Sequence, residues 1–200
     1  MLNDLILRLE PDVVYDIGAH DGLFTKKMRG MLPIAQIHQF EGSPNKKQKV
    51  REGPWHKVLL GSKDGYPVKF YYDGGTGDTY MPETKRFMKS NYKKVTLYTE
   101  RLDTYCKKHR IPSPDMIKID VQGAEIDVLR GCDEILSKCR LIHCEVPAEG
   151  IEFNQGAPTQ AECFDFFDSV GFIHRGKIKD HRRDGKLIIQ HDYFFSKDKI

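Results

Sequence analysis

Residues 13–22 read VVYDIGAHDG: Val13, Val14, Tyr15, Asp16 and Ile17, then a loop of Gly18, Ala19, His20, Asp21 and Gly22. A short run dominated by β-branched and aromatic residues predicts a strand buried on both faces, and the two glycines predict a sharp turn that brings backbone close to a ligand. In doubly wound sheets ligands sit beyond the carboxyl ends of the strands, and the turn from the first strand into the first helix occupies that position.

The rest of the chain fits such a sheet. Candidate strands are DVVYDIG, QIHQFEG, HKVLLGS, DMIKIDV, RLIHCEV, GFIHRGKI and KLIIQHDYFFSK, about seven in all, with helical patterns between most of them. That alternation predicts an α/β fold with a mostly parallel sheet covered on both faces. The last two strands are joined by HRRDG, too short for a helix, so they pair antiparallel. An α/β sheet ending in an antiparallel hairpin resembles the Rossmann-like class I methyltransferase sheet. Between the third and fourth strands, YPVKFYYDGGTGD and KKVTLYTERL predict an additional β-rich insertion.

Helix signals are local. Ser43-Pro44 predicts a helix over SPNKKQKVRE. Thr159 with Glu162 forms a capping box for TQAECFDFFDSV, which Gly171 ends. In GAEIDVLRGCDEILSKC, Ala124, Val128 and Leu129 share a face, and Gly131 predicts a break.

Composition bounds the function. The 200 residues fit one domain spanning 1–200, with 39% hydrophobic and 30% charged residues; a chain of this size buries roughly 70% of its unfolded surface. No run approaches a bilayer span. MLNDLILRLEPD is interrupted by Asp4, Arg8 and Glu10, unlike a signal peptide, so a cytoplasmic protein is expected. Five cysteines, none spaced C-x-x-C, predict reduced packing thiols. The net charge of +3 is too mild and too interspersed to predict nucleic-acid binding.

The loop selects its ligand by charge. Its spacing is G-x-x-x-G, not the G-x-G-x-x-G that cradles a pyrophosphate. Asp16 and Asp21 would add negative charge where a phosphate wants a bare helix N-terminus. S-adenosylmethionine carries an ammonium and a sulfonium and no phosphate, so it fits better. Glu41, ending the second strand about twenty residues past the glycine loop, is suited to ribose hydroxyls, a feature shared with NAD sites. Ser62, Lys63 and Asp64 follow the third strand as candidates to flank the adenine. The alternative is that Asp16 and Asp21 are merely a turn acid and a helix cap.

VVYDIGAHDG, FEGSPNK, ERLDTYCKKHRIPSPDMIKIDVQGAEIDVLRG and the closing HDYFFSK together resemble the FkbM family of S-adenosylmethionine-dependent methyltransferases, over roughly residues 10–197, most specifically in IKIDVQGAE. The resemblance implies a Rossmann-like fold and O-methylation of a sugar or glycan hydroxyl, or of a polyketide-type natural product. The family loop usually carries asparagine at the position of His20 and glutamate at that of Gln122.

Methyl transfer to an aliphatic hydroxyl needs an aligned acceptor and a base, a metal, or both. Lys118 and Asp120 on the fourth strand, and His143 and Glu145 on the fifth, interrupt otherwise apolar strands with the two-residue spacing that puts each pair on one face. They are the catalytic candidates. Asp120 and Glu145 are also candidate magnesium ligands. The plainer reading is an internal Lys118–Asp120 ion pair, with Glu145 capping a turn before Pro147. Glu125 suits a first-turn helix acid. Acceptor selection is expected from DGGTGDTYMPET, with Thr76, Asp78 and Thr79, and from VPAEGIEFNQGAP. Tyr71, Tyr72, Tyr80 and Phe153 are available to stack or pack. An NAD-dependent oxidoreductase and a catalytically silent binding module are the rival functions.

Overall fold

The computed structural model describes residues 2–88 and 92–197. The chain runs α1 (Leu2–Leu9), β1 (Val13–Ile17), α2 (Leu23–Met31), β2 (Gln36–Glu41), β3 (Trp55–Lys57), β4 (Tyr66–Tyr72), β5 (Lys93–Thr99), α3 (Leu102–His109), β6 (Met116–Ile119), α4 (Glu125–Leu129), α5 (Asp133–Lys138), β7 (Leu141–Pro147), α6 (Gln160–Ser169), β8 (Ile173–Arg183) and β9 (Leu187–Ser196).

Seven strands form one sheet in the order β3-β2-β1-β6-β7-β9-β8. The five strands from β3 to β7 pair in parallel, and β9 lies antiparallel between β7 and β8. Counting only this sheet's strands in chain order, the arrangement is 3-2-1-4-5-7-6, the class I methyltransferase order. The insertion is a separate antiparallel pair, β4 with β5.

The two faces of the sheet differ. One is apolar over its centre: Tyr15, Ile17, Ile117, Ile119, Ile142, Cys144, Val146 and Phe195 pack under residues of α3 to α6, such as Leu102, Val128, Leu136 and Phe167, while toward β3 it carries the hydrogen-bonded pair His38 and His56. The other starts apolar, with Ile37, Val14, Met116, Leu141 and Phe194 under Leu5, Ile6 and Leu9 of α1 and Met28 of α2. Two residues further along the parallel strands it turns polar, because Gln39, Asp16, Lys118 and His143 are consecutive cross-strand neighbours. Side chains two apart on a strand share a face, so this polar row follows directly from the apolar one and marks the end of the sheet that holds the site.

Several expectations hold in detail. Thr159 and Glu162 form the capping box at α6. The break between α4 and α5 falls at residues 130–132. All five cysteines are free and buried. No described helix is long and apolar enough to cross a membrane.

Three local readings are corrected. SPNKKQKVRE forms no helix. The Ser43 hydroxyl donates to Asp78 (2.6 Å) instead of capping, while the Ser43 and Lys46 carbonyls are taken by Lys57. The third strand ends at Lys57, and Leu60 makes only an isolated bridge to Glu100. The hairpin turn is shorter than HRRDG, since β8 continues to Arg183. β8 is an edge strand whose register shifts and charged side chains discourage further pairing. The amphipathic α1, short for an isolated helix, is stabilised by packing and was not foreseen.

Candidate active site

A cavity of about 480 Å³ opens at the carboxyl ends of β1, β2 and β6. Ile17, Phe40, Val58, Leu60 and Val128 give it apolar walls, and Gly18, Ala19, His20, Asp21, Glu41 and Asp120 bring polar groups to it. Gly18 has φ +74°, and a Cβ there would lie 1.9 Å from the Asp120 carbonyl oxygen. Only glycine fits this backbone, so the loop passes directly over the end of β6. The N–H groups of Gly18 and Ala19 both donate to the Phe40 carbonyl (2.9 and 3.1 Å), which fixes the loop to β2. Gly22 starts α2.

Glu41 is 8% exposed and faces the cavity. Its carboxylate accepts from the His20 N–H (2.8 Å) and the Ser43 N–H (2.7 Å), bracing the glycine loop against the turn after β2. Each oxygen keeps acceptor capacity for a ligand hydroxyl. His20 lies 2.6 Å by Nε2 from the Lys46 ammonium, which also donates to the Gly74 carbonyl (2.6 Å). Lys46 thereby ties the 73–78 loop to His20 at the cavity wall. Asp21 accepts from the Leu23 N–H; burial raises its pKa, but that bond and His20 outweigh it and leave the carboxyl below its ordinary value.

Asp16 is fully buried beneath the loop and does not line the cavity. It accepts from the Thr25 hydroxyl (2.8 Å) and lies 3.4 Å from Lys118 Nζ. Lys118 in turn donates to the Gly18 carbonyl (3.1 Å) and sits 3.7 Å from Asp120. Burial alone would drive the lysine toward neutrality; Asp16 and Asp120 reverse that and hold its pKa above the usual lysine value. Asp16 thus meets the cavity through Lys118. Asp120 reaches the cavity directly, with its side chain 38% exposed.

Gln122, in the left-handed region at φ 57°, donates from Nε2 to both Asp120 (2.7 Å) and Glu145 (3.1 Å). Glu145 is 4% exposed, and its second amide donor is Gln190 (2.7 Å). Burial, with Asp120 and Glu125 nearby, pushes Glu145 well above the ordinary carboxylate range, Lys118 opposing. Glu125 accepts from the N–H groups of Val121 and Gly123, and burial still raises it to about 7. Asp120, Glu125 and Glu145 each bring a carboxylate oxygen within 4.8 Å of the others, and in this structure the Gln122 amide rather than a cation bridges Asp120 and Glu145. His143 lies against Phe24 and 3.7 Å from Asp192, outside the cavity lining.

The other expected residues divide. Thr76, Asp78, Thr79 and Tyr80 line the cavity; Thr79 also donates to the Gln122 carbonyl (2.9 Å), fastening the insertion to that turn. Ser62 instead donates to Asp127 (2.7 Å), and Asp64 accepts from Thr104 (2.8 Å) and the Arg101 N–H (2.7 Å), so neither lines the cavity. VPAEGIEFNQGAP borders a separate cavity of about 270 Å³ with Glu125 and Gln190. Phe153 packs on Phe87, and the Tyr80 hydroxyl donates to Asp127 (2.7 Å). Sequence reasoning missed Lys46, hidden in a false helix, and Lys179 of β8, which lines the cavity only because the hairpin folds back beside β7.

Comparison with known proteins agrees with this architecture. The profile of the Methyltransferase FkbM domain matches residues 16–174. The chain is 32% identical over 157 residues to the 2-O-methyltransferase NoeI of Sinorhizobium fredii, covering 68% of this chain and 64% of that protein. It therefore spans a little under two thirds of that relative's length. The crystal structure of a methyltransferase FkbM from Methylobacillus flagellatus superposes with a TM-score of 0.56 at 12% identity, over 92% of this chain and 44% of that one. The Burkholderia thailandensis 1,6-didemethyltoxoflavin-N1-methyltransferase, solved with S-adenosylhomocysteine, gives 0.51 at 12% identity, over 98% and 76%. With the sheet order, the glycine loop and a profile match over most of the chain in agreement, the protein belongs to the FkbM methyltransferase family.

Proposed function

We propose that the chain is an S-adenosylmethionine-dependent O-methyltransferase acting on a hydroxyl of a sugar, a glycan or a sugar-containing natural product. The observation that carries the reading is the meeting, in one cavity, of the Gly18–Gly22 loop, the Glu41 carboxylate and Asp120 at the ends of three adjacent parallel strands. Glu41 would hold the ribose hydroxyls, and the Gly18 and Asp21 end of the loop the amino-acid portion. The apolar wall of Phe40, Val58 and Leu60 suits an adenine. Once bound, this cofactor supplies an electrophilic methyl on sulfur.

Asp120 is the base. It is the acid at the end of β6 that is open to the cavity, and it would take the acceptor proton as the new O–C bond forms and the S–C bond breaks. Lys118 is a positioning residue, holding the Gly18 carbonyl and Asp120 in one arrangement. The family resemblance and the 2-O-methyltransferase relative support a sugar hydroxyl as acceptor. A dinucleotide oxidoreductase lacks support in the loop spacing and in the family. The test is incubation with methyl-labelled S-adenosylmethionine and a glycan extract, followed by mass spectrometry. Label on sugar hydroxyls with wild type, and none with Asp120→Asn, is expected. Label confined to other acceptors would overturn the acceptor assignment.

A further inference from the structure

Beyond the cavity, the polar face continues across the terminal hairpin. Glu145 of β7 pairs in register with Asp192 of β9, and Asp192 with Lys179 of β8; His181, two residues on, shares the face of Lys179. His181 Nε2 lies 3.1 Å from Asp192 Oδ1 and 3.6 Å from Glu145 Oε1. We propose that His181, Asp192 and Glu145 form a binding site for one divalent transition cation, adjoining the acceptor end of the methyl-transfer cavity.

The spacing fits the chemistry. Nitrogen and oxygen ligands held about 2.0–2.2 Å from a metal stand roughly 3 to 3.6 Å from one another in octahedral or tetrahedral geometry. The three candidate ligand atoms lie within 4.8 Å of one another, with two of the separations inside that band. His181 Nε2 is buried between the two carboxylates, nearer to Asp192 than to Glu145. A neutral imidazole nitrogen placed between two carboxylate oxygens is in position to share a cation with them.

The surroundings orient the ligands as metal sites do. Both amide hydrogen bonds to Glu145, from Gln122 and Gln190, fall on Oε2, and Oε1 is the oxygen that faces His181. His143 lies 3.7 Å from Oδ2 of Asp192, on the side away from His181, which meets Oδ1. The three ligands stand on three neighbouring strands of one sheet, a rigid support. One imidazole with two carboxylates favours Mn²⁺, Fe²⁺, Co²⁺ or Zn²⁺ over Mg²⁺, which prefers oxygen alone. With three protein ligands, positions remain for water or an acceptor hydroxyl on the half-open side of His181, 29% exposed. That last role rests on the methyltransferase reading; the site itself does not.

The test is titration of the chelator-stripped 200-residue chain with Co²⁺, followed by its visible absorption, and with Zn²⁺ and Mg²⁺ by calorimetry. One Co²⁺ or Zn²⁺ per chain is expected, with Mg²⁺ far weaker. His181→Gln and Asp192→Asn, each verified as folded by circular dichroism, should lose at least about 100-fold in affinity, more than the roughly 10- to 100-fold that loss of an outer-shell partner costs, and His109→Gln on α3 should lose none. No stoichiometric binding by wild type, or undiminished binding in both ligand variants, would overturn the proposal. Parallel titration with S-adenosylmethionine separates this outcome from the fate of the methyltransferase reading, because Gly18, Glu41 and the cofactor cavity involve none of the three ligands.

Discussion

Lys118 of β6 reaches under the glycine loop to donate to the Gly18 carbonyl at 3.1 Å. The same ammonium is 3.4 Å from Asp16 and 3.7 Å from Asp120. One buried cation therefore joins the first strand, the glycine loop and Asp120, the proposed base.

Removing that cation leaves Asp16 buried and unpaired. Lys118→Met is expected to lower unfolding free energy by about 3–5 kcal/mol, measured by urea denaturation. It should also weaken S-adenosylmethionine binding, because the Gly18 carbonyl loses its donor. A variant of wild-type stability would show that the pair contributes nothing.

Gly18→Ala combines a forbidden conformation with a collision. The backbone is at φ +74°, and the new Cβ would sit 1.9 Å from the Asp120 carbonyl. The loop must move, so the expected result is loss of cofactor binding with a destabilisation of about 3 kcal/mol. Calorimetry and thermal melting read the two effects separately, and retention of both properties would mean the loop does not rest on β6.

Asp120→Asn keeps shape and removes the proposed base. Cofactor affinity should change by less than about threefold, while turnover falls by roughly 10²- to 10⁴-fold. A variant that turns over normally would place the base elsewhere.

Glu125 carries a pH signature. Burial raises its pKa from 4.5 to about 7 in the folded chain, so between those values the folded state holds more protons than the unfolded state. Stability should fall as pH rises through this window, by up to about 3 kcal/mol from this group. His56, lowered from 6.5 to about 4 mainly by burial, acts in the opposite sense. The informative quantity is the slope difference between wild type and Glu125→Gln in urea unfolding from pH 5 to 8. Identical slopes would show that Glu125 ionises normally.

Much of this arrangement was legible in local chemistry. The apolar run into Gly18 marks β1 and its turn, Thr159 with Glu162 marks α6, and a turn too short for a helix marks the antiparallel ending. Polar residues at two-residue spacing in β6 and β7 correctly shared a face. What escaped depends on partners distant in sequence. The helix signal of Ser43-Pro44 is overridden because the Ser43 hydroxyl binds Asp78. Asp16 faces inward because α2 covers that side of β1, where Thr25 and Lys118 meet it. Lys179, His181 and Asp192 reach the site's edge through hairpin register, which alternation alone does not reveal.

The central claim is that this cavity holds S-adenosylmethionine with Glu41 on the ribose. Isothermal titration of wild type and Glu41→Ala with that cofactor tests it most directly. Single-site binding by wild type, weakened at least about 100-fold in the variant by loss of charge-assisted hydrogen bonds, is the predicted result. Absence of binding by wild type, or equal affinity in the two proteins, would contradict the account.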